Sequence, residues 1–451
     1  ALTLLTNLGY EFIPPEACLT MRGRLSSVIL PNVLRDVLKH KTYLFMGKEH
    51  KLSDAGIDKI IQTLATPAMN AGLKAANEKL YNAMTHGITV TEFIDGKKAN
   101  PTIQVIDWET PENNRFHFTE EMEIDNTHST GKRIPDIVCF VNGLPWVVIE
   151  AKRPDSSHEG KPTVSEGISQ NIRNQKVDEI PHLFAYSQLL FSVNGNEGLY
   201  ATCGTDSKFW AKWKEEQITE ATYTRLKNTP LPNEKLDLLF NHRPAKVRDE
   251  YLSLIAGGEL VITDQDRLLV SLLRHDRLLE MTRLFILFDK KAGKIVARYQ
   301  QVFGIKALLG RLKEKDSLGA RQGGVIWHTT GSGKSFTMVL LTKSLIYQRD
   351  LRNCRVIVIT DRTDLEAQLS KTFASSGAIS NIDTADALAT SGKRLAEQIG
   401  KGNERIIFSL IQKFNSATKL PECHNDSSDL IVLVDEGHRS QGGENHIRMR
   451  Q

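Results

Sequence analysis

The sequence predicts an α/β protein in which a mixed sheet flanked by helices is followed by a parallel sheet that carries a phosphate-binding loop. Residues 88–151 contain short runs rich in β-branched and aromatic residues, separated by Gly and Asn clusters, which indicates strands joined by tight turns. After Gly323, strand-like apolar runs alternate with helical segments, and this alternation is typical of a parallel sheet. The segment HTTGSGKS, at residues 328–335, follows one of these runs and precedes a helical pattern.

Composition and charge are those of an ordinary globular protein with two or three domains. The 451 residues are 40% hydrophobic and 25% charged, and the formal net charge of +4 neither requires nor excludes nucleic-acid binding. The five cysteines form no CxxC pair, so neither a zinc site nor a disulfide framework is indicated, and a reduced, cytoplasmic setting is expected. No apolar run approaches the ~20 residues that span a bilayer, so no membrane association is expected.

The N-terminal half of the chain predicts helices followed by strands. Apolar spacing from Ser53 to Thr85 indicates helices that start at Ser53 and at Thr66, which Pro67 follows. A helix is also expected near residues 165–177, before a strand pair at LLFSV and GLYAT. Between these helices, five runs predict strands: ITVTEFI, TIQVIDW, NRFHFTEEMEI, IPDIVCFV and LPWVVIEA.

The C-terminal half predicts a linker and then the strand–helix alternation. Three prolines favour a linker over residues 225–250: Pro230, Pro232 and Pro244. Helical signals follow. The predicted order is then a strand at residues 325–327, a helix from Ser335, the strand RVIVIT, a helix from about Asp364, and the strands RIIFSL and DLIVLVDE.

The segment at residues 328–335 has the chemistry of a loop that binds nucleotide phosphates. Gly331 and Gly333 allow backbone N–H groups to curl around phosphate oxygens, and the start of the following helix adds the positive end of its dipole. Lys334 is expected to contact the β and γ phosphates, and the Ser335 hydroxyl to hold Mg²⁺. A chance Gly-rich turn is the alternative. The predicted nucleotide contacts of the loop are Thr330, Gly331, Ser332, Gly333, Lys334 and Ser335.

An acidic pair follows the last predicted strand. Residues 430–434 are apolar and lead directly into Asp435 and Glu436. Carboxylates at the carboxyl end of a parallel strand lie where ligands bind in such sheets. Asp435 would hold Mg²⁺ through water, and Glu436 would activate the water that attacks the nucleotide. A solvated strand cap is the alternative, and the position downstream of a phosphate loop favours the catalytic interpretation.

A third group of charged residues spans a predicted hairpin. Asp136 precedes the run IVCFV, Glu150 and Lys152 end the run LPWVVIEAK, and Asn142-Gly143 stands at the tip. Two carboxylates can bind Mg²⁺, which polarises a scissile phosphate and lowers the pKa of a bound water. We therefore predict Asp136 and Glu150 as metal ligands and catalytic residues, with Lys152 orienting or stabilising the hydroxide. A chance match to so short a pattern is the alternative.

The register of this hairpin decides whether the three groups can meet. A three-residue loop over residues 142–144 would place Asp136 opposite Glu150, on one face of the sheet. A two-residue loop would instead pair Asp136 with Ile149 and turn Glu150 to the opposite face. The chemistry therefore requires either the three-residue loop or a β-bulge.

Several segments of the C-terminal half resemble superfamily 2 helicases and translocases. DEGH, at residues 435–438, differs by one residue from their DEAH box, and the resemblance assigns His438 to the nucleotide site. TDRTDLEAQL and residues 412–414 resemble motifs that contact the DNA backbone. RYQQ resembles an adenine-reading Q motif, in which Tyr299 would stack on the base and Gln301 would hydrogen-bond its edge.

The hairpin residues resemble the PD-(D/E)xK pattern of metal-dependent nucleases. In such nucleases the next helix often supplies a Q-x-x-x-Y element. Gln170 matches the first position, so the resemblance adds it as a catalytic residue, whereas Asn174 stands where the tyrosine would be.

The order of these motifs resembles the restriction (R) subunit of type I restriction-modification enzymes. The shared segments include IPDIVCFVNGLPWVVIEAKRP, IPHLFAYSQLLFSVNG, WHTTGSGKS and DEGHRSQGG. The resemblance implies a subunit that uses ATP and Mg²⁺ to move along double-stranded DNA and cut it. It also implies modification and specificity subunits as partners, in the cytoplasm of a bacterium or archaeon. The alternatives are a stand-alone helicase-nuclease of DNA repair or phage defence, and a non-catalytic ATP-gated DNA-binding module.

The resemblance also implies a domain order. We expect a PD-(D/E)xK domain with a mixed sheet before a RecA-like motor domain with a parallel sheet, and a second RecA-like lobe that would follow Gln451. The expected divisions are an N-terminal helical and mixed segment at 1–70, the endonuclease domain at 71–240, a linker and helical connection at 241–285, and the first RecA-like lobe at 286–451.

Overall fold

The fold divides after Arg283 into two units, residues 1–283 (unit 1) and residues 284–451 (unit 2). Among its described residues, no helix has the length and apolar content needed to cross a membrane. The structure, a computed structural model, describes residues 1–153, 163–258, 260–289, 292–317, 319–327, 329, 333–348, 350–351, 353–360, 363, 366, 370 and 387–435.

Unit 1 contains helices on both sides of a set of short strands. Its helices are α1 Leu2–Asn7, α2 Pro15–Arg22, α3 Pro31–Lys39, α4 Asp54–Ala65, α5 Leu73–His86, α6 Thr163–Asn174, α7 Pro181–Phe184, α8 Glu220–Asn228, α9 Asn233–Phe240, α10 Ala245–Gly257, α11 Asp264–Leu273 and α12 His275–Leu284. Its strands are β1 Glu11–Phe12, β2 Thr42–Phe45, β3 Lys48–Lys51, β4 Ile88–Thr89, β5 Glu92–Ile94, β6 Lys97–Ala99, β7 Thr102–Ile103, β8 Phe116–Glu120, β9 Ile124–Asp125, β10 Lys132–Arg133, β11 Ile137–Val141, β12 Leu144–Ala151, β13 Leu189–Val193 and β14 Gly198–Ala201.

Unit 2 alternates strands and helices. The described elements are β15 Ile286–Asp289, β16 Gly293–Val296, α13 Tyr299–Lys313, α14 Lys334–Tyr347, β17 Arg355–Thr360, α15 Gly392–Lys401, β18 Ile406–Leu410, α16 Phe414–Ala417 and β19 Leu430–Val434.

A six-stranded mixed sheet forms the centre of unit 1, with the order β1-β8-β11-β12-β13-β14. The pairs β1–β8 and β12–β13 are parallel, and the other neighbours are antiparallel. Every residue of β11 and every residue of β12 before Ala151 is buried, so the centre of the sheet is covered on both faces. This arrangement confirms the mixed α/β architecture predicted for the N-terminal half. Strand β1 comes from residues 1–70, and that segment therefore contributes to the same sheet.

The hairpin between β11 and β12 turns through two residues. Val141 pairs directly with Leu144. Asn142 and Gly143 both have positive φ, 51° and 81°, as a type I′ turn requires. The three-residue loop considered from the sequence is therefore wrong.

A β-bulge corrects the register of the same hairpin. The pairing shifts after Cys139, which faces Val147, and Trp146 is the extra residue. On the side of the bulge away from the turn, Ile137 pairs with Ile149. This register brings Asp136 opposite Glu150, so the two carboxylates share one face of the sheet. The second route considered from the sequence, a two-residue turn with a bulge, is the one the molecule uses.

Two helix predictions for unit 1 have different outcomes. Ser53 caps α4, because its hydroxyl accepts a backbone N–H of the first turn at 3.0 Å, which confirms the predicted start. The start predicted at Thr66 is wrong, and the next α-helix begins at Leu73. Gly72 has φ of 87°, outside the right-handed helical region, so a helix cannot run through it.

The linker predicted over residues 225–250 is also wrong. Helices α8, α9 and α10 occupy most of this segment. Pro232 and Pro244 stand directly before the first residues of α9 and α10. A proline is tolerated there because its missing N–H is not needed for an intrahelical hydrogen bond. These prolines therefore mark the starts of helices and do not indicate a linker.

Unit 2 contains a parallel three-stranded sheet with the order β18-β17-β19. This sheet confirms the parallel architecture predicted from RVIVIT, RIIFSL and DLIVLVDE. Helix α14 begins at Lys334, one residue before the predicted start. The helix expected from about Asp364 lies largely outside the described residues.

The strand predicted at residues 325–327 is wrong. Within the described part of the chain, this segment pairs with no strand, and Val325 and Trp327 are 87% and 86% exposed. Apolar β-branched composition predicts a strand only where a neighbouring backbone supplies the hydrogen bonds.

We predict that Asn142→Ala destabilises unit 1 more than Asp95→Ala does. Both residues have φ near 50° in an Asx-Gly turn, so both substitutions incur the same left-handed backbone strain. The Asn142 side chain also accepts from the backbone N–H of Arg115 at 2.7 Å and donates to the carbonyl of Val105 at 2.9 Å, whereas Asp95 is exposed. Denaturant unfolding should show an additional loss of about 2–4 kcal/mol for Asn142→Ala. Equal losses would contradict the anchoring role.

Candidate active sites

Three charged residues meet at the carboxyl end of β12. The Lys152 Nζ atom lies 2.9 Å from Asp136 Oδ2 and 3.2 Å from Glu150 Oε2. The backbone N–H of Ala151 also donates to Asp136 Oδ2, at 2.7 Å. The structure thus brings Asp136, Glu150 and Lys152 together, although they come from two strands and the segment that follows.

Glu150 is the most buried member of this group. Its side chain is 1% exposed, compared with 34% for Asp136 and 13% for Lys152. Burial, and secondarily the neighbouring Asp136 carboxylate, raise the pKa of Glu150 to about 8. Burial alone would lower the pKa of Lys152, but the two carboxylates raise it above its ordinary value, so the ammonium stays charged.

The two carboxylates fit a divalent ion. Glu150 Oε1 is buried and has no hydrogen-bond partner among the described residues, so one oxygen of this side chain lacks the contact that a buried acceptor requires. Mg²⁺ is commonly held by one or two carboxylates together with substrate phosphates. The donor set of Asp136 and Glu150 therefore suits Mg²⁺.

Helix α6 lies directly over Glu150. An added Cβ on Gly167 would lie 2.3 Å from Ser192 Oγ and 3.2 Å from Glu150 Cβ, so only glycine permits this approach. Ser192 is itself opposite Glu150 on β13 and donates to the Val164 carbonyl at 2.7 Å. The helix and β13 together exclude water from the inner side of Glu150.

Gln170 follows Gly167 by one turn of α6. The two residues therefore emerge on the same side of the helix, the side that faces β12 and β13. Gln170 Oε1 is buried and accepts no hydrogen bond from the residues that the structure describes. Asn174, which stands at the position of the family tyrosine, is buried at the end of the same helix. Among these residues, Gln170 keeps an oxygen that a ligand could use.

The described part of the phosphate loop is the end that enters α14. Gly333 has φ of 89°, which only glycine adopts easily, and it is the N-cap residue of α14. Lys334 and Ser335 are the first residues of that helix and are partly exposed. The helix therefore starts where a phosphate could meet the N–H groups of its first turn. Three other predicted contacts lie outside the described residues: Thr330, Gly331 and Ser332.

Gln301 contacts the phosphate loop from α13. Its Nε2 donates to the Gly333 carbonyl at 3.4 Å and to Thr337 Oγ1 at 3.2 Å, while its Oε1 accepts from the Arg298 N–H at 2.9 Å. Tyr299, the first residue of α13, is partly exposed. The predicted adenine-contacting segment and the phosphate loop are thus linked directly.

Asp435 lies immediately after β19, at the carboxyl end of the parallel sheet. Its N–H donates to the Ile359 carbonyl of β17 at 2.9 Å, which continues the β17–β19 pairing by one residue. This is the position that the sequence predicts for a carboxylate near bound Mg²⁺. Glu436 and His438 lie outside the described residues.

The two motifs expected on the DNA side are connected by an ion pair. Lys413 Nζ lies 3.0 Å from Glu366 Oε1, and the glutamate is 8% exposed. Glu366 belongs to TDRTDLEAQL and Lys413 to the segment 412–414. Neither motif alone indicates this contact, because the two segments lie far apart in the sequence.

Two models of known protein families match different parts of the chain. Residues 1–209 match the family model described as the type I restriction enzyme R protein N terminus, and residues 300–451 match the model of the SWI2/SNF2 ATPase. The first 209 residues are thus similar to the N terminus of type I restriction enzyme R proteins. These matches agree with the resemblance drawn from the motifs.

Several curated relatives of this chain are endonuclease subunits of type I restriction enzymes. The type I restriction enzyme HindI endonuclease subunit of Haemophilus influenzae is 29% identical over 97% of this chain and 38% of the relative. The putative MjaIXP endonuclease subunit of Methanocaldococcus jannaschii is 28% identical over 98% of this chain and 39% of the relative. The SsaAORF53P endonuclease subunit of Staphylococcus saprophyticus is 24% identical over 75% of this chain and 30% of the relative. The chain thus spans under half the length of these relatives.

Gly167 and Ser192 are residues of the site that the sequence analysis missed. A single glycine inside a helical pattern often marks a close packing contact, and Gly167 carried that signal. Ser192 gave none, because a serine in the apolar run LLFSV does not reveal which strand it will face.

We predict that Gly167→Ala destabilises unit 1, although alanine favours helices, because the new methyl group overlaps Ser192 Oγ. The double variant Gly167→Ala with Ser192→Ala should recover part of the loss. Gly310→Ala, at a helical glycine with nothing within 4 Å of the added Cβ, serves as the control and should be neutral or stabilising in unit 2. Denaturant unfolding measures all three, and failure of the second substitution to rescue would contradict the proposed close approach.

Proposed function

We propose that this chain is the motor and nuclease part of a type I restriction enzyme, which translocates double-stranded DNA using ATP and cleaves it using Mg²⁺. The convergence of Asp136, Glu150 and Lys152 at the end of one sheet carries the proposal. It is supported by the endonuclease-subunit names of the relatives and by the ATPase family match of residues 300–451.

At the nuclease site, Asp136 and Glu150 would hold Mg²⁺, which would polarise the scissile phosphate and supply a hydroxide. The N–H of Ala151 fixes Asp136 Oδ2, and α6 closes the inner side of Glu150 to water. Lys152 carries the positive charge that can face a phosphate oxygen or orient the attacking water. Gln170 would position a water or phosphate from the helix side.

At the motor site, Lys334 would neutralise charge on the β and γ phosphates of ATP. Ser335 and Asp435 would hold Mg²⁺, and Glu436 would orient the attacking water, with His438 beside it. The loop glycines, Thr330 and Ser332 would present backbone N–H groups to the phosphates. Tyr299 and Gln301 would contact adenine, and Gln301 already touches the end of the phosphate loop through Gly333.

The partners follow from the type of enzyme. A type I restriction enzyme acts as a complex, so modification and specificity subunits are the proposed partners, with double-stranded DNA as substrate. The reduced state suits the cytoplasm of a bacterium or archaeon, because the described cysteines are free. DNA target choice would belong to the specificity subunit.

We predict that Asp136→Ala, Glu150→Ala and Lys152→Ala each abolish DNA cleavage by the reconstituted complex while leaving DNA-dependent ATP hydrolysis within about twofold. The reason is that these residues and the phosphate loop lie in different units. Plasmid cleavage and phosphate release are measured on the same preparations. Glu49→Ala, an exposed acid in unit 1, is the control that should retain both activities. Parallel loss of ATPase and cleavage in folded variants would refute the two-site assignment.

We predict the converse for Lys334→Ala, which should reduce ATP hydrolysis at least about a hundredfold because Lys334 would meet the transferred phosphate. Translocation, followed by displacement of a triplex-forming strand, should cease, and cleavage should cease with it. Lys401→Ala, at the exposed end of α15, should retain all three activities. ATP-independent cutting by the Lys334→Ala complex would favour a simple nuclease over a translocating enzyme.

A further inference from the structure

The Lys152 ammonium occupies a central place among the carboxylates of the nuclease site. It contacts Asp136 Oδ2 at 2.9 Å and Glu150 Oε2 at 3.2 Å, and thus joins the two side chains that would bind a divalent ion. Its side chain is 13% exposed, so the charge is largely removed from bulk water. A cation is therefore already part of the site.

The backbone holds Lys152 in this place. Its N–H donates to the Val193 carbonyl at 2.8 Å, which extends the β12–β13 pairing past Ala151. Asp136 Oδ2 is fixed from the other side by the Ala151 N–H at 2.7 Å. The ammonium and the first carboxylate are thus kept close by main-chain hydrogen bonds as well as by their own attraction.

We propose that Lys152 is an intramolecular competitor for the divalent ion, and that it weakens metal binding at this site until it is drawn to a phosphate of bound DNA. This inference rests on the proposed nuclease function and adds a regulatory role for Lys152. The ammonium takes up one oxygen of each ligand side chain and repels a second cation. Its displacement by a DNA phosphate would leave both carboxylates free for the metal.

Charge supports competition over a purely organising role. In the metal-binding form, in which both carboxylates are ionised, the cluster of Asp136, Glu150 and Lys152 carries a formal charge of −1, and without the ammonium it would carry −2. A dication and an ammonium about 5 Å apart repel by enough, even in a water-like dielectric, to change an affinity about tenfold. If Lys152 only organised the carboxylates, its removal would weaken metal binding, so the two roles predict opposite signs.

The test is calorimetric titration of the 451-residue chain with Mn²⁺, without nucleotide or DNA. Lys152→Met keeps most of the side-chain volume and removes the charge, and Lys152→Ala is the second variant. Both should bind Mn²⁺ at least about tenfold more tightly than the parent chain. Lys152→Arg, which keeps a cation, should not bind more tightly. Circular dichroism and thermal unfolding establish that each variant is folded.

Two controls separate the site from general charge effects. Lys132→Met removes an ammonium that pairs with Glu123 at 2.8 Å outside the three-residue cluster, and it should leave Mn²⁺ affinity unchanged. Asp136→Asn, added to Lys152→Met, should abolish the tight binding event and thereby assign it to this site.

The possible results distinguish a failure of the competitor role of Lys152 from a failure of the metal site itself. The first outcome is that both uncharged Lys152 variants bind Mn²⁺ as tightly as the parent chain or more weakly, while Mn²⁺ binding to the parent chain depends on Asp136. This result would overturn the competitor role and leave the proposed metal-dependent nuclease intact. The absence of any Asp136-dependent Mn²⁺ binding in the parent chain and in both uncharged variants would overturn the metal site itself, and the competitor role with it.

Discussion

The proposed nuclease site depends on a carboxylate, Glu150, that is buried between a strand and a helix. A buried carboxylate is costly unless charged or hydrogen-bonding groups compensate it. Lys152 compensates one oxygen, and the other has no hydrogen-bond partner in the described part of the chain. Helix α6 can approach this closely because Gly167 presents no side chain towards Ser192 and Glu150. The resulting environment has the properties of a metal ligand site: a carboxylate held in place, little water, and one oxygen without a hydrogen-bond partner among the described residues.

The candidate site of unit 2 is built from groups of a different kind. There the candidate ligands are main-chain N–H groups at the start of α14 and side chains at the carboxyl ends of parallel strands, not buried carboxylates. The Gln301 amide ties the start of α13 to Gly333 and Thr337. A nucleotide that engages Gln301 must therefore change contacts at the phosphate loop as well, which links base recognition to phosphate binding through one side chain.

The sequence predicted the elements better than it predicted their boundaries. Long apolar runs such as LPWVVIEA identified strands correctly because burial dominates their energetics. The prolines of residues 225–250 do not mark a linker, since Pro232 and Pro244 occupy helix starts, where proline is favourable. Residues 325–327 have strand composition, but whether such a run pairs is decided by a neighbouring backbone, which local sequence does not reveal.

At the candidate site, residue identity could be predicted from the sequence, but the local backbone geometry could not. Asp136, Glu150 and Lys152 could be selected from residue type and spacing, and the need for a particular register followed from strand geometry. The bulge at Trp146 could not be located, because an extra residue in a buried strand has no distinctive composition. Gln170 was chosen by family resemblance, and its placement one turn from Gly167 depends on how closely the helix packs.

The bulge limits the changes in hairpin length that can occur during evolution while both carboxylates stay on one face of the sheet. Strand side chains alternate, so inserting or deleting one residue between Asp136 and Glu150 would turn one carboxylate to the other face. A change of two residues, or a single change that also removes the bulge, would keep them together. Homologous hairpins of different length should therefore differ by even numbers of residues, or by odd numbers where the bulge at Trp146 is gained or lost.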